Sequence, residues 1–324
     1  MTRRILPSVF AITLLSIFAL SLGSSEISGI WRYIFNPQFD PSSITYQIIW
    51  DIRAPRIAAA LLVGASLGVA GAIAQAATNN PLAEPAILGT SAGAALGVLV
   101  GVLSNLVEVG SLGAILFATL GALAITTLVF SLAKSALTLV TIGIGVSAIT
   151  SALVGLALTA VGRPDARSIS FWSFGSFALV TPENLLMLAP ILIAGTFLAW
   201  KIAPSLDLLS LGDSGVRHIG KSPQRIRFRA FLLLSILVAV TVSTVGAISF
   251  LALAAPHIAR YLFGPSNRSL VIHSMLIGAI ILLSADTFAR SAFSPLELPI
   301  GLVTSLIGAP ILILTIKRGG DVWR

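Results

Sequence analysis

Residues 230–259 read AFLLLSILVAVTVSTVGAISFLALAAPHIA, an uncharged run of 30 residues. As one α-helix it would be about 45 Å long at 1.5 Å per residue. That exceeds the roughly 30 Å hydrocarbon core of a bilayer. Gly246 and Pro256 lie inside the run. It therefore reads as two membrane crossings, one near 230–249 and a second, Pro-interrupted one near 251–266. The choice sets the sidedness of everything that follows. Other uncharged windows, at 5–25, 57–83, 85–107, 109–133, 135–162, 184–200, 269–285 and 298–316, each hold one more crossing. With ten crossings and the N-terminus inside, 14 of the 20 Lys and Arg residues fall on the cytoplasmic side; merging the two crossings leaves 10 on each side. Basic residues are retained in cytoplasmic loops, so ten spans with both termini inside are expected.

Composition agrees. Of 324 residues, 56% are hydrophobic and only 10% are charged. A soluble chain carries roughly 25% charged residues, and disorder needs low hydrophobicity with high charge, so both classes are excluded. The expected fold is an all-α polytopic membrane bundle, one transmembrane domain over 1–324. The net charge of +8 reads as retained loop charge rather than a nucleic-acid surface. Without Cys, no disulfide or thiolate site can form. Segment 1–25, with Arg3 and Arg4 before an apolar run, resembles a secretory signal. Its apolar run is as long as a crossing, so it is read as the first span. Trp31, Trp50, Trp172 and Trp200 fall at expected span ends or in outer loops, where indoles anchor in the interface. Gly64-Ala-Ser-Leu-Gly68 and Gly93-Ala-Ala-Leu-Gly97 carry small residues four apart, which let helices approach closely. Asn80-Pro-Leu-Ala-Glu-Pro85 is echoed by Ser294-Pro-Leu-Glu-Leu-Pro299 on the opposite expected side, as an inverted repeat would place them; a shared need for a Pro-rich helix start accounts for the echo equally well.

The longest polar insertion is 201–229, KIAPSLDLLSLGDSGVRHIGKSPQRIRFR. Residues 215–222 match the G-x-x-x-x-G-K-[ST] phosphate-loop pattern, but that motif needs a preceding strand and an α/β domain, for which the flanking spans leave no room. A short helical pair fits better, with Leu206, Leu208, Leu209 and Leu211 as an apolar face suited to a cytoplasmic partner. A solvated basic loop is the simpler alternative. At the outer side, Arg53 and Arg56 flank Pro55, and Asp286 and Arg290 sit four apart on one helical face. Intramembrane charges pair or line cavities. Two readings are open: a basic collar that receives an acidic protein, or an Asp286–Arg290 pair with Arg53 and Arg56 snorkelling. His257 reads as a hydrogen-bonded structural residue. His218 and His273 lie in other segments, so no metal-ligand set forms, and no triad or carboxylate dyad marks a catalytic site.

At these residues the chain resembles the FecCD-type permeases, the membrane subunits of ABC importers for iron–siderophore complexes, haem and vitamin B12. The matching segments are Arg53-Ala-Pro-Arg56, Gly64-Ala-Ser-Leu, Asn80-Pro-Leu-Ala-Glu-Pro85, Leu88-Gly-Thr-Ser-Ala-Gly93, Leu211-Gly-Asp213, Gly246-Ala-Ile-Ser-Phe250, Pro256-His-Ile-Ala-Arg260, Ala285-Asp-Thr-Phe-Ala-Arg290, Glu297-Leu-Pro-Ile-Gly301 and Gly308-Ala-Pro310. They run in family order. The sequence departs from the family pattern at Phe250–Pro256 and at Ser214-Gly215.

The resemblance implies a type II ABC importer permease fold in the plasma or inner membrane. It implies a second permease subunit, a cytoplasmic ATPase dimer and an extracytoplasmic binding protein. This chain would be non-catalytic and bind no cofactor, with ATP and Mg used by the ATPase. Carried over by position, Arg53, Arg56 and Arg290 would dock the binding protein. Leu211, Gly212, Asp213, Arg217 and Gly220 would couple to the ATPase, and Asn80 and Leu82 would form the cytoplasmic gate. Asp286 and His257 are expected to be structural polar residues. The competing reading is a secondary transporter driven by protons through Asp286 and His257; a signalling or assembly membrane protein without a pathway is a further one.

Overall fold

The computed structural model describes residues 2–23, 30–36, 39–109, 111–133, 135–160, 172–293 and 296–318. Lys134, Arg163, Arg167 and Arg324, used in the charge count, lie outside these, as do Ser294 and Pro295 of the Pro-rich echo. The described residues form an all-helical bundle: α1 (Thr2–Ser21), α2 (Ile30–Phe35), α3 (Ile44–Gln47), α4 (Ala54–Thr78), α5 (Thr90–Leu103), α6 (Leu112–Leu132), α7 (Ala136–Ala160), α8 (Pro182–Asp207), α9 (Gly212–His218), α10 (Pro223–Val245), α11 (Leu251–Phe263), α12 (Asn267–Ser291) and α13 (Ile300–Arg318). Six are long and apolar enough to cross a membrane, α4, α6, α7, α8, α10 and α12; α1, α5 and α13 contribute shorter apolar stretches.

Local chemistry sets the ends. Ser111 Oγ accepts the Ala114 N–H at 3.1 Å and begins α6. Thr181 and Asn184 form a reciprocal capping box ahead of Pro182, and Ser222 accepts the Arg225 N–H ahead of Pro223. Each cap satisfies donors that a helix start leaves open, and proline suits the first turn because its missing N–H is not needed there.

The 230–259 run does split. Helix α10 ends at Val245, residues 246–250 are irregular, and α11 starts at Leu251. The first helix thus stops four residues earlier than the hydropathy suggests, and the second, expected to be interrupted by proline, runs unbroken through Pro256 to Phe263, about 20 Å of helix and shorter than the bilayer core. Gly246 takes φ +75° and Phe250 φ +63°. The positive φ is costless for glycine, and no helix can continue through it.

Helices α4, α10 and α12 form the centre, with 72–78% of their apolar windows buried, whereas α6, α7 and α8 are only 17–28% buried. Helix α4 crosses α12 where a Cβ on Gly64 would meet the Gly278 carbonyl oxygen at 2.5 Å. Against α11 the approach is closer still. Pro256 lacks the N–H that would bond the Ala252 carbonyl, and that oxygen abuts Gly71, leaving no room for a Cβ. Gly71→Ala should therefore push α4 off α11 and cost about 3 kcal/mol, the upper end for overpacking. A melting temperature equal to that of the parent protein in detergent would remove this contact from the account.

Candidate transport and coupling sites

One end of the bundle, the expected outer one, carries the arginines singled out in the sequence. All three are turned inward. Arg53 is 4% exposed, Arg56 7%, Arg290 4% and Asp286 0%. Arg56 Nε donates to Asp286 Oδ1 and Oδ2 at 3.0 and 3.2 Å, and its Nη1 donates to Glu297 Oε1 at 3.0 Å. Arg290 Nε lies 3.8 Å from Asp286 Oδ2, and its Nη2 donates to the Ala19 carbonyl. Arg53 Nη1 donates to the Leu20 carbonyl at 2.8 Å. Two arginines thus serve the free carbonyls at the C-terminal end of α1, where a positive charge is favoured. The i,i+4 pair of the second sequence reading is present. Arg53 and Arg56 do not snorkel: they are taken up by α1, Asp286 and Glu297. Three cations face two carboxylates, so the cluster keeps an excess positive charge.

The opposite end holds the polar insertion. Residues 208–211 form a 3-10 turn leading into α9. Gly212 and Gly220, at φ +72° and +73°, bracket that helix. Leu211 is 56% exposed, and Arg217 is exposed as well. Helix α9 precedes Gly220-Lys-Ser222, and Ser222 caps α10. The phosphate-loop match therefore has a helix where that motif requires a strand.

Asp213 is clamped by Arg227, whose Nη2 and Nη1 donate to Oδ1 and Oδ2 at 2.7 and 3.0 Å. This hydrogen-bonded guanidinium holds the Asp213 carboxyl below its usual range, since a donor to the charged form favours it. The same guanidinium donates through Nε to the Ala77 carbonyl at 3.0 Å. One side chain thus ties α9 to the last turn of α4. Three residues on, Asn80 Oδ1 accepts the Leu82 N–H at 2.9 Å, shaping the loop on which Leu82 stands 43% exposed. A cavity of about 800 Å³ opens beside it, lined by Gln75, Asn79, Asn80, Asp207 and Arg260 among others.

Sequence reasoning did not assign Arg227 a role, although a signal was present. Arg225, Arg227 and Arg229 alternate on α10, and two residues turn a helix by about 200°. Arg227 therefore faces inward while its neighbours stay exposed. Glu84 was missed too: its carboxylate faces the backbone N–H of Phe250, at the start of α11. Two irregular stretches, 79–89 and 246–250, thereby meet inside the bundle, as broken helices do around transport pathways. His257 is buried on α11, one turn before Arg260. Among the described residues no three His, Cys, Asp or Glu side chains gather as a metal site.

Comparison with known proteins agrees over the whole length. The chain is 32% identical to an iron-uptake system permease protein, FeuB, of Bacillus subtilis, covering 98% of this chain and 97% of that one. It is 33% identical to a hemin transport system permease protein, HmuU, of Yersinia pestis, covering 98% of each. It is 35% identical to a vitamin B12 import system permease protein, BtuC, of Vibrio cholerae, covering 86% of each. A solved chain of a transporter described as of the metal-chelate ABC type, in an inward-facing conformation, superposes with a TM-score of 0.87 at 31% identity over 98% of this chain and 100% of its own. The three curated relatives are named as permease proteins, and this multi-pass chain is a transport component of their family. With the family model matching residues 10–318, the chain belongs to the FecCD transport family.

Proposed function

We propose that this chain is the permease subunit of an ATP-driven importer for an iron–siderophore or a related metal chelate such as haem or cobalamin. It crosses the bacterial inner membrane ten times with both termini inside, as one transmembrane unit containing the 201–229 coupling segment. It pairs with a second permease, the same or a related chain. It binds no cofactor; ATP and Mg act in the ATPase dimer beneath. The observation that carries this reading is the Arg227 tie. A force applied by the ATPase to Leu211, Gly212, Asp213, Arg217 and Gly220 would pass through Arg227 to Ala77 and so to Asn80 and Leu82 at the cytoplasmic gate. At the outer end, acidic side chains of a binding protein would be drawn to the excess positive charge of Arg53, Arg56 and Arg290. Charge of that kind orients docking more than it tightens it. Proton coupling through Asp286 is disfavoured because that carboxylate is committed to Arg56 and Arg290.

Reconstitution tests the reading. Liposomes holding this chain with a co-purifying ATPase and binding protein should accumulate a ferric trihydroxamate only with ATP inside and all components present. Uphill uptake by the chain alone, driven by a proton gradient, would replace this reading with secondary transport.

A further inference from the structure

Helices α4, α8 and α12 enclose a groove of about 320 Å³ away from both sites. Its walls include Leu62 and Ser66 of α4, Ile193, Phe197 and Trp200 of α8, and Met275 of α12; no charged side chain lines it. Two polar groups on these walls, Ser66 Oγ and Trp200 Nε1, have no hydrogen-bond partner among the described residues. The groove runs toward the end of the bundle that carries the coupling segment, since α8 finishes and α12 begins there.

Two cations stand at that end, on the aromatic rings of the groove wall itself. The Arg268 guanidinium carbon lies 4.8 Å from the Trp200 ring centroid, and Lys201 Nζ lies 4.9 Å from that of Phe197. The two rings are 6.1 Å apart. Both cations are exposed, and neither is among the ion pairs of the described residues. The nearby Asp207 carboxylate is taken instead by the backbone and side-chain N–H groups of Asn267, each at 3.0 Å. An uncharged apolar slot therefore ends in a pair of positive charges without carboxylate partners.

We propose that this groove holds an anionic phospholipid of the cytoplasmic leaflet, one acyl chain against Phe197, Trp200 and Met275 and the phosphate between Lys201 and Arg268. Charge selects this occupant: basic groups at the cytoplasmic membrane surface attract anionic headgroups, and the uncharged groove beside them suits an acyl chain.

The test is native mass spectrometry of the full chain released from detergent, titrated with phosphatidylglycerol or with phosphatidylcholine of the same acyl chains. Phosphatidylglycerol should be retained more tightly. Each cation at an anionic surface is worth about fivefold in affinity, so the Lys201→Gln/Arg268→Gln variant should bind phosphatidylglycerol about thirtyfold more weakly while phosphatidylcholine is unaffected. Arg225→Gln/Arg229→Gln, which removes as much charge elsewhere on the same end, should leave both unchanged. Ala65→Phe, which fills the slot, should weaken both lipids. Equal retention of the two lipids, or undiminished phosphatidylglycerol binding by Lys201→Gln/Arg268→Gln, overturns the proposal. So does displacement of the lipid by inorganic phosphate, which would mark a free-anion site. Loss of a dimer with unchanged lipid retention in Ala65→Phe would assign the groove to a second copy and overturn it equally. The Gln variants alter exposed side chains only, so the proposal stays testable if Ala65→Phe fails to fold.

Discussion

Arg56→Ala should destabilise the chain by about 3–5 kcal/mol, the cost of leaving a buried charge without its partner. Asp286 is fully buried and would keep only Arg290, 3.8 Å away; Glu297 would lose its hydrogen bonds to the same guanidinium. The measurement is the melting temperature in detergent, compared with Asp286→Ala and with the double variant. The double variant should recover part of the loss, because the two residues form one interacting unit whose effects are not additive. An Arg56→Ala protein that melts like the parent would show that this cluster does not hold the outer end together. The double variant also separates two roles of the same residue. Arg56 ties α4 to α12, and it contributes to the charge proposed to orient a binding protein. Removing Arg56 and Asp286 together takes away one cation and one carboxylate, so the excess charge is kept and capture of the binding protein should persist, whereas lost capture would count against charge as its cause. Reversing all three arginines at once would not separate the roles, since it would break the ties to α1 and Asp286 at the same time.

Arg227→Ala should reduce uptake more than tenfold while the associated ATPase continues to hydrolyse ATP. The substitution strands the Asp213 carboxylate and removes the donor to the Ala77 carbonyl, so α9 loses its tie to α4. Arg227→Lys should rescue little, because an ammonium cannot reproduce a forked contact to a carboxylate together with a third bond to a carbonyl. The quantity to measure is chelate imported per ATP hydrolysed in proteoliposomes. An unchanged ratio in Arg227→Ala would remove this residue from the coupling path and leave the gate to be moved by other contacts.

The division of the 230–259 run was legible because length against bilayer thickness is a one-dimensional argument. Its end was misplaced by four residues because hydropathy does not register the positive φ of Gly246 and Phe250. Both readings of the outer charges were on the page from the spacing of Asp286 and Arg290. What spacing could not supply was Arg56 reaching Asp286 across 230 positions of sequence, or α1 offering carbonyls to Arg53 and Arg290. Arg227 was hidden for a related reason. Its helical phase marks it as inward-facing, but its partners lie 14 and 150 positions away, and no local pattern names them.

From the amino-acid order alone came the helical membrane class, the helix break at Gly246, and the segments that match the FecCD pattern. Apolar run length, charge exclusion and backbone restriction act over a few residues and leave their mark wherever the chain goes. Only the tertiary structure decided which charges are spent inside the protein and which remain available. Arg53, Arg56 and Arg290 are tied to carbonyls and carboxylates within the chain and leave only their net excess of charge to a partner, while Lys201 and Arg268 stand on aromatic rings at the mouth of an uncharged groove. That distinction depends on which helices meet at 3–5 Å, and pairing energies act between neighbours in space, not in sequence.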